Sequence, residues 1–278
     1  MGENNVIERE TSGQMLDRFL SVLSCFSVHA PVASAAEIRE RTTLPPTTTT
    51  RLIRLLLDRG VLSQTKRGYK LSLRFVGWAE VAKAGSDLVE ASTPILSELR
   101  DRSGESTGLA LLDKDCRYVI NNCSSKKSIV FHTEIGQTLP LYAGSGGKVL
   151  LAFSDPPPTV ERLKKLASGT ITSRAKLEKE LELIRKRGWA YAQSEREDGL
   201  NSVGAPVLDA GGLIGSMTIG GPAFRMGEDR AEELGLMVLD AARELSLAIG
   251  YQGKYPPVRE ANDTNDTKKH DKHEKLRD

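Results

Sequence analysis

Between residues 34 and 74 the chain is punctuated too closely for anything but short helices and a hairpin. Ser34 with Glu37 three places on is a capping box, in which each side chain satisfies a backbone N–H at a helix start. Pro45 and Pro46 stop a helix arriving from the N-terminal side and favour a new one beginning there. Gly60 can take the left-handed conformation that ends that second helix. The reading is a helix from 34 to about 41, a turn over 42–46, and a helix over 47–59 with Leu52, Leu55 and Leu56 inward. Two short strands, 61–64 and 69–71, then flank Lys66, Arg67 and Gly68 as a hairpin. Ahead of this set, Met15, Phe19, Val22, Leu23 and Phe26 fall on one face of a helix over 15–26. The first 13 residues are polar and aperiodic, which predicts disorder.

Charge gives the segment a purpose. Residues 42–74 hold seven Lys or Arg against one acid, Asp58, while the whole chain carries a formal net charge of +2. Clustered cations on a helix-turn-helix pattern point to double-stranded DNA, because phosphates attract them whatever the base sequence. The second helix of such a motif enters the major groove N-terminus first. Here that end reads Thr47, Thr48, Thr49, Thr50, Arg51, and four β-branched residues in a row are poor helix formers. Their hydroxyls and methyls suit phosphates, bases and thymine methyls. Thr47, Thr48, Thr50, Arg51 and Arg54 are therefore candidate DNA contacts, with Arg51 placed for base readout. Arg54 suits a base or a phosphate, and Lys66 and Arg67 of the hairpin suit the backbone or minor groove. Taken singly, Thr47 reads equally as an N-cap and the arginines as a solvated face.

The next stretch, 73–91, predicts one longer helix. Phe75, Ala79, Ala82, Ser86 and Val89 repeat at a 4-3-4-3 spacing, a narrow seam that suits a partner helix in a dimer or a linker lying on its own domain. From about residue 93 the character changes. Short apolar runs at 107–112, 117–121, 129–133, 203–209 and 213–219 alternate with helical patterns at 143–153, 173–187 and 228–249. The last shows Leu234, Val238, Ala241, Leu245 and Ile249 on one face, and Asp209 to Gly212 reads as a turn between strands. This is a mixed α/β domain over 93–253, and it is neutral, with 21 residues of each sign in 93–254. Residues 254–278 read as a disordered, charged tail. No apolar run approaches the roughly 20 residues needed to cross a membrane. Three irregularly spaced cysteines suit a reducing cytoplasm rather than disulfides or zinc.

Residues 139–153, LPLYAGSGGKVLLAF, place Gly144, Ser145, Gly146 and Gly147 at a helix start. Unpaired N–H groups there favour an anion. The nucleotide phosphate-loop pattern fails, since Tyr142 stands where its first Gly belongs and Val149 where Ser or Thr belongs. A small carboxylate is the better guest.

With LPPTTTTRLIRLLLDRGVL in the first domain and RKRGWAYAQSEREDGLNSVGAPVLDAGGLIGSMTIGGPAFR over 185–225, the chain resembles the IclR family of bacterial transcriptional regulators across residues ~15–250. The resemblance implies an α+β protein: a winged helix-turn-helix (14–72), a linker helix (73–92) and a GAF-like effector-binding domain (93–253). It implies a homodimer or homotetramer, a small carboxylate effector, and control, by repression or activation, of genes that break down organic acids. It carries effector contacts onto Ser145 and Gly146, onto Leu200 and Ser202, and onto Thr218 and Gly220, with Phe131 and Leu139 as apolar walls. Ala192 and Gly220 stand where some members have an acid and a serine, so the expected pocket is roomier and less polar, suited to an aromatic or otherwise bulky carboxylate. Glu195 reads equally as a salt-bridge partner, and each pocket hydroxyl equally as a satisfied strand residue.

An enzyme with a DNA-binding appendage is the competing reading. It finds no catalytic set, no G-x-S-x-G elbow and no metal spacing, and His132 is the only histidine in the second domain. Neither a cofactor nor a metal is implied. An interaction module without DNA binding would use the 75–89 seam but leave the basic segment idle.

Overall fold

The computed structural model describes residues 3–27, 30–131 and 133–257, with side chains from Gly13 onward. The chain forms two compact units that meet between Glu90 and Ala91.

The first unit opens with α1 (Glu3–Leu23), so helix covers residues expected to lack structure and stops short of Phe26. Val22 is buried, with Phe19, Leu23 and Phe26 packed around the same core, whereas Met15 is exposed. α2 (Ala35–Thr42) begins at the capping box: Ser34 Oγ accepts from Glu37 N at 3.2 Å and Glu37 Oε2 from Ser34 N at 2.7 Å. Thr43 turns the chain in the left-handed region at φ 55°. α3 (Pro46–Asp58) starts with Pro45 as cap and Pro46 in the first turn. Its buried face is Thr49, Leu52, Ile53 and Leu56. Ile53 thus takes the inward place expected of Leu55, which faces out at 38 % exposure. β1 (Leu62–Thr65) and β2 (Gly68–Leu71) form the antiparallel hairpin, extended by Ala33, which bridges to Tyr69. Only glycine fits at 68, since a Cβ there would stand 2.5 Å from Ala33 O.

The expected linker helix is two helices. α4 (Arg74–Ala84) ends at Gly85, and α5 (Asp87–Ser103) continues past the unit boundary. The 4-3-4-3 seam is therefore interrupted between Ala82 and Ser86, and α4 buries no residue. Phe75 meets Trp78 edge-on, 5.1 Å between centroids, and packs beside the first unit's core. Leu73, Val76, Trp78 and Val81 are exposed.

The second unit is a six-stranded antiparallel sheet in the order β5-β4-β3-β8-β7-β6. Its strands are β3 (Ser106–Asp113), β4 (Cys116–Cys123), β5 (Thr138–Pro140), β6 (Ala190–Gln193), β7 (Leu200–Asp209) and β8 (Gly212–Pro222). β5 and β6 were not foreseen, and residues 129–131, expected as strand, are irregular. The tight turn between β7 and β8 is held by Asp209 Oδ1, which accepts from Gly211 N at 2.7 Å. α6 (Ser145–Phe153), α7 (Arg174–Arg187) and α8 (Glu228–Ala248) complete the unit. α6 and α8 both pack on β7 and β8. Strand alternation divides the side chains: Ser202, Gly204, Ser216 and Thr218 share the face that meets α6, while the buried Val203, Ala205, Val207, Met217 and Ile219 share the other. The predicted face of α8 holds at Leu234, Val238, Ala241 and Leu245. Residues 254–257, expected in the tail, belong to the unit: Tyr255 Oη donates to Pro206 O at 2.6 Å. The rest of the expected tail lies outside the described residues. No helix among the described residues is long and apolar enough to cross a membrane.

Candidate DNA-binding surface and ligand pocket

Burying Thr49, Leu52, Ile53 and Leu56 leaves a definite outer face on α3. Thr47, Thr50, Arg51 and Arg54 are exposed on it, and Thr48 is half-buried. The threonine run is thereby resolved. Thr49 is a core residue whose Oγ1 donates to Pro45 O at 3.1 Å. Thr50 Oγ1 donates to Pro46 O at 2.9 Å, yet stays at the surface. Lys66 and Arg67 are the two-residue loop between β1 and β2 and are both exposed. Neither Arg51, Arg54, Lys66 nor Arg67 has an acidic partner within 4.0 Å among the described residues. Every predicted DNA contact is therefore at least partly exposed, and the four cations form no ion pair among the described residues.

In the second unit, all eight residues singled out for the effector line one pocket of about 580 Å³, a volume that includes its open mouth. Gly144 caps α6 at φ 83°, in the left-handed region that favours glycine. Its N–H donates to Glu195 Oε2 at 2.8 Å. Ser145 Oγ donates to Ser202 Oγ at 2.9 Å, tying the helix start to β7. Thr218 lies opposite Gly204, and Gly220 opposite Ser202, on the neighbouring strand. Phe131 and Leu139 stand in the wall as expected.

Glu195 is a structural ion-pair partner. Its other oxygen accepts from Lys148 Nζ at 2.6 Å, and both side chains are buried. Burial pushes the Glu195 carboxyl up, and Lys148 and the Gly144 amide offset only part of that, so it stays raised.

The lining residues not foreseen include two arginines. Arg117, 4 % exposed, and Arg196 bring guanidinium groups to the pocket. Both pKa values are lowered, chiefly by burial, and Arg117 falls to about 9, still charged at neutral pH. The expectation of a less polar pocket is thus overturned: the site is cationic. Ala192, one basis for that expectation, is buried on β6 and does not line the pocket. The signal for Arg117 was present in the sequence, since it shares strand parity with the buried Val119 and Asn121. Arg196 sits in a turn, where parity gives no direction.

Comparison with known proteins agrees with both halves. The model of the IclR helix-turn-helix domain matches residues 15–66, and that of the bacterial transcriptional regulator IclR C-terminal domain matches 82–247. The transcriptional regulator BhcR of Paracoccus denitrificans is 31% identical over 252 residues, covering 86% of this chain and 89% of that protein. A putative IclR transcriptional regulator from Silicibacter superposes with a TM-score of 0.77 at 21% identity, covering 86% of this chain and 98% of that one. An IclR homologue from Microbacterium hydrocarbonoxydans, solved with 4-hydroxybenzoate, superposes at 0.68 with 24% identity, covering 84% and 98%. The chain therefore belongs to the IclR family of DNA-binding bacterial transcriptional regulators, and is a regulator rather than an enzyme.

Proposed function

We propose that the chain binds operator DNA through the outer face of α3 and the 66–67 loop, and that a small carboxylate in the second unit's pocket changes that binding. The observation that carries the reading is the pairing of an exposed cationic face, whose named cations form no ion pair, in one unit with a cationic pocket in the other. Arg51 and Arg54 reach bases or phosphates in the major groove, and Lys66 and Arg67 hold the backbone. The carboxylate lies against the α6 N-terminus, with its ring or chain on Phe131, Leu139 and Leu200. It shifts DNA affinity only as far as it prefers one arrangement of the chain over another. The regulated genes are those that consume such acids.

The protein acts as a homodimer or homotetramer. The exposed Val76, Trp78 and Val81 on α4 support this, since a helix with no buried residue gains by pairing. Sedimentation of the full chain against a Trp78→Glu, Val81→Glu variant tests it: the variant is expected to shift to monomer, and an unchanged mass removes α4 from the interface.

The test of the main reading is fluorescence anisotropy on a duplex selected from random sequence by the full chain. A panel of aromatic and aliphatic carboxylates is expected to contain compounds that change the affinity in wild type. Ser145→Ala and Ser202→Ala are expected to blunt that change without altering effector-free DNA binding. Responses equal to wild type in both variants would place the effector elsewhere.

A further inference from the structure

Resting on the effector reading above, we infer that Arg117 and Arg196 together grip one carboxylate of the effector beside the start of α6, so that the site selects an acid with a single charged head and an uncharged body.

Neither arginine has its charge met by an ion pair among the described residues. Arg117 is 4 % exposed, its Nε has no hydrogen-bond partner, and its Nη2 reaches Ala143 O at 3.5 Å. The acids whose charges act on the two arginines are otherwise placed. Glu195, near Arg117, is committed to Lys148 Nζ and the Gly144 amide. Glu197, near Arg196, is exposed. No Asp, Glu or Lys lines the pocket. A buried guanidinium without a counter-charge or a full set of acceptors is costly, and an anion beside it removes that cost.

The two side chains meet at one place. A Cβ on Gly144 would stand 3.2 Å from Arg117 Nη2 and 2.9 Å from Arg196 Cδ. Arg117 continues along the first turn of α6, its Nη1 2.7 Å from where a Gly146 Cβ would be. The charge of Arg196 is felt at Arg117, where it adds to burial in lowering the pKa. Two neighbouring cations repel, and one anion shared between them relieves both. A carboxylate suits that role, because its two oxygens offer about four acceptor directions, enough for two guanidinium forks. The electropositive end of α6 favours the same anion. Leu109, Val119, Phe131, Leu139 and Leu200 are apolar lining for the ligand's body. The Arg196 guanidinium lies over the Phe131 ring, 5.4 Å from its centroid, which sets the charged point beside the aromatic wall. A second, distant carboxylate on the ligand would find no further cation in the lining.

Isothermal titration calorimetry of the full chain tests this. The probes are benzoate, 4-hydroxybenzoate, butanoate and hexanoate, each matched with its neutral amide. Terephthalate and adipate are the diacids matched to benzoate and hexanoate. At least one monoacid is expected to bind about tenfold or more tightly than its amide, as hydrogen bonds to a charged group allow. Neither diacid should exceed its monoacid by more than about threefold. Arg196→Gln, with a thermal melt to confirm folding, is expected to erase most of the acid-over-amide preference. Arg117→Gln should erase it too, and the double variant should lose little more than either alone, because both side chains serve one group. A diacid bound tenfold more tightly than its monoacid would overturn the shared grip and leave the effector reading standing. So would a folded Arg196→Gln protein that keeps the preference, a result that needs no Arg117 variant. Amides binding as well as acids, or failure of every probe to bind, would overturn both.

Discussion

Lys148 and Glu195 show how much a single side chain can decide in this fold. Lys148 is 1 % exposed, and its charge is met by Glu195 at 2.6 Å and Glu180 at 3.4 Å. Removing it strands Glu195 as a buried charge, so Lys148→Met should cost about 3–5 kcal/mol in urea unfolding. Adding Glu195→Leu should recover part of that loss, and a single-variant cost below about 1 kcal/mol would contradict the pairing. Glu105 makes a pH prediction. It is fully buried, which pushes its carboxyl up, but the hydrogen bonds and charges of Arg225 and Lys127 outweigh burial and hold it below the usual value. A depressed carboxylate stabilises the fold above its unfolded pKa of about 4.3 and loses that stabilisation as pH falls through the lower folded value. Glu105→Gln should therefore lower neutral-pH stability and flatten the acid limb of a stability–pH curve. An acid limb parallel to wild type would contradict this. Residue by residue, six of the eight pocket positions were legible through family resemblance because that motif fixes where the α6 start meets β7 and β8, and Phe131 and Leu139 came from the resemblance alone. The two arginines were not legible, because their meaning depends on forming no ion pair with the acids nearby, which only tertiary structure reveals.

At the scale of elements, local chemistry served best where it was dense. The capping box, the two prolines and Gly60 set α2, α3 and the hairpin nearly to the residue. The hairpin loop carries its own prediction. Lys66→Ala with Arg67→Ala should weaken binding to every duplex alike and reduce the slope of log affinity against log salt by up to about 2, at roughly 0.9 per phosphate contact. A slope equal to wild type removes the loop from the interface. Sequence reasoning failed where an element is short or its pairing is remote. β5 and β6 have three and four residues, too few for alternation to register. Ile129 and Phe131 mimic strand alternation, but β5 pairs with the outer edge of β4, and Ile129 O accepts instead from Arg225 Nη2 at 2.7 Å. The helix break at Gly85 was passed over because the apolar spacing runs across it.

At the scale of the molecule, the division of charge between the two units matches the division of labour. The first unit presents cations without ion pairs on α3 and the hairpin, whereas the second is neutral overall and brings two arginines without ion pairs into a pocket. Two units were legible from the change in composition near residue 93, close to the boundary at Glu90 and Ala91. The central claim is that the outer face of α3 reads DNA sequence. Fluorescence anisotropy with the full chain and its selected duplex measures this directly, comparing wild type with Arg51→Ala and a scrambled duplex as control. Loss of one base-reading arginine should cut affinity for the selected duplex by about 5- to 150-fold, the equivalent of about 1–3 kcal/mol, while binding to the scrambled duplex changes little. Equal affinity of wild type and Arg51→Ala for the selected duplex would contradict the assignment of α3 as the reading helix.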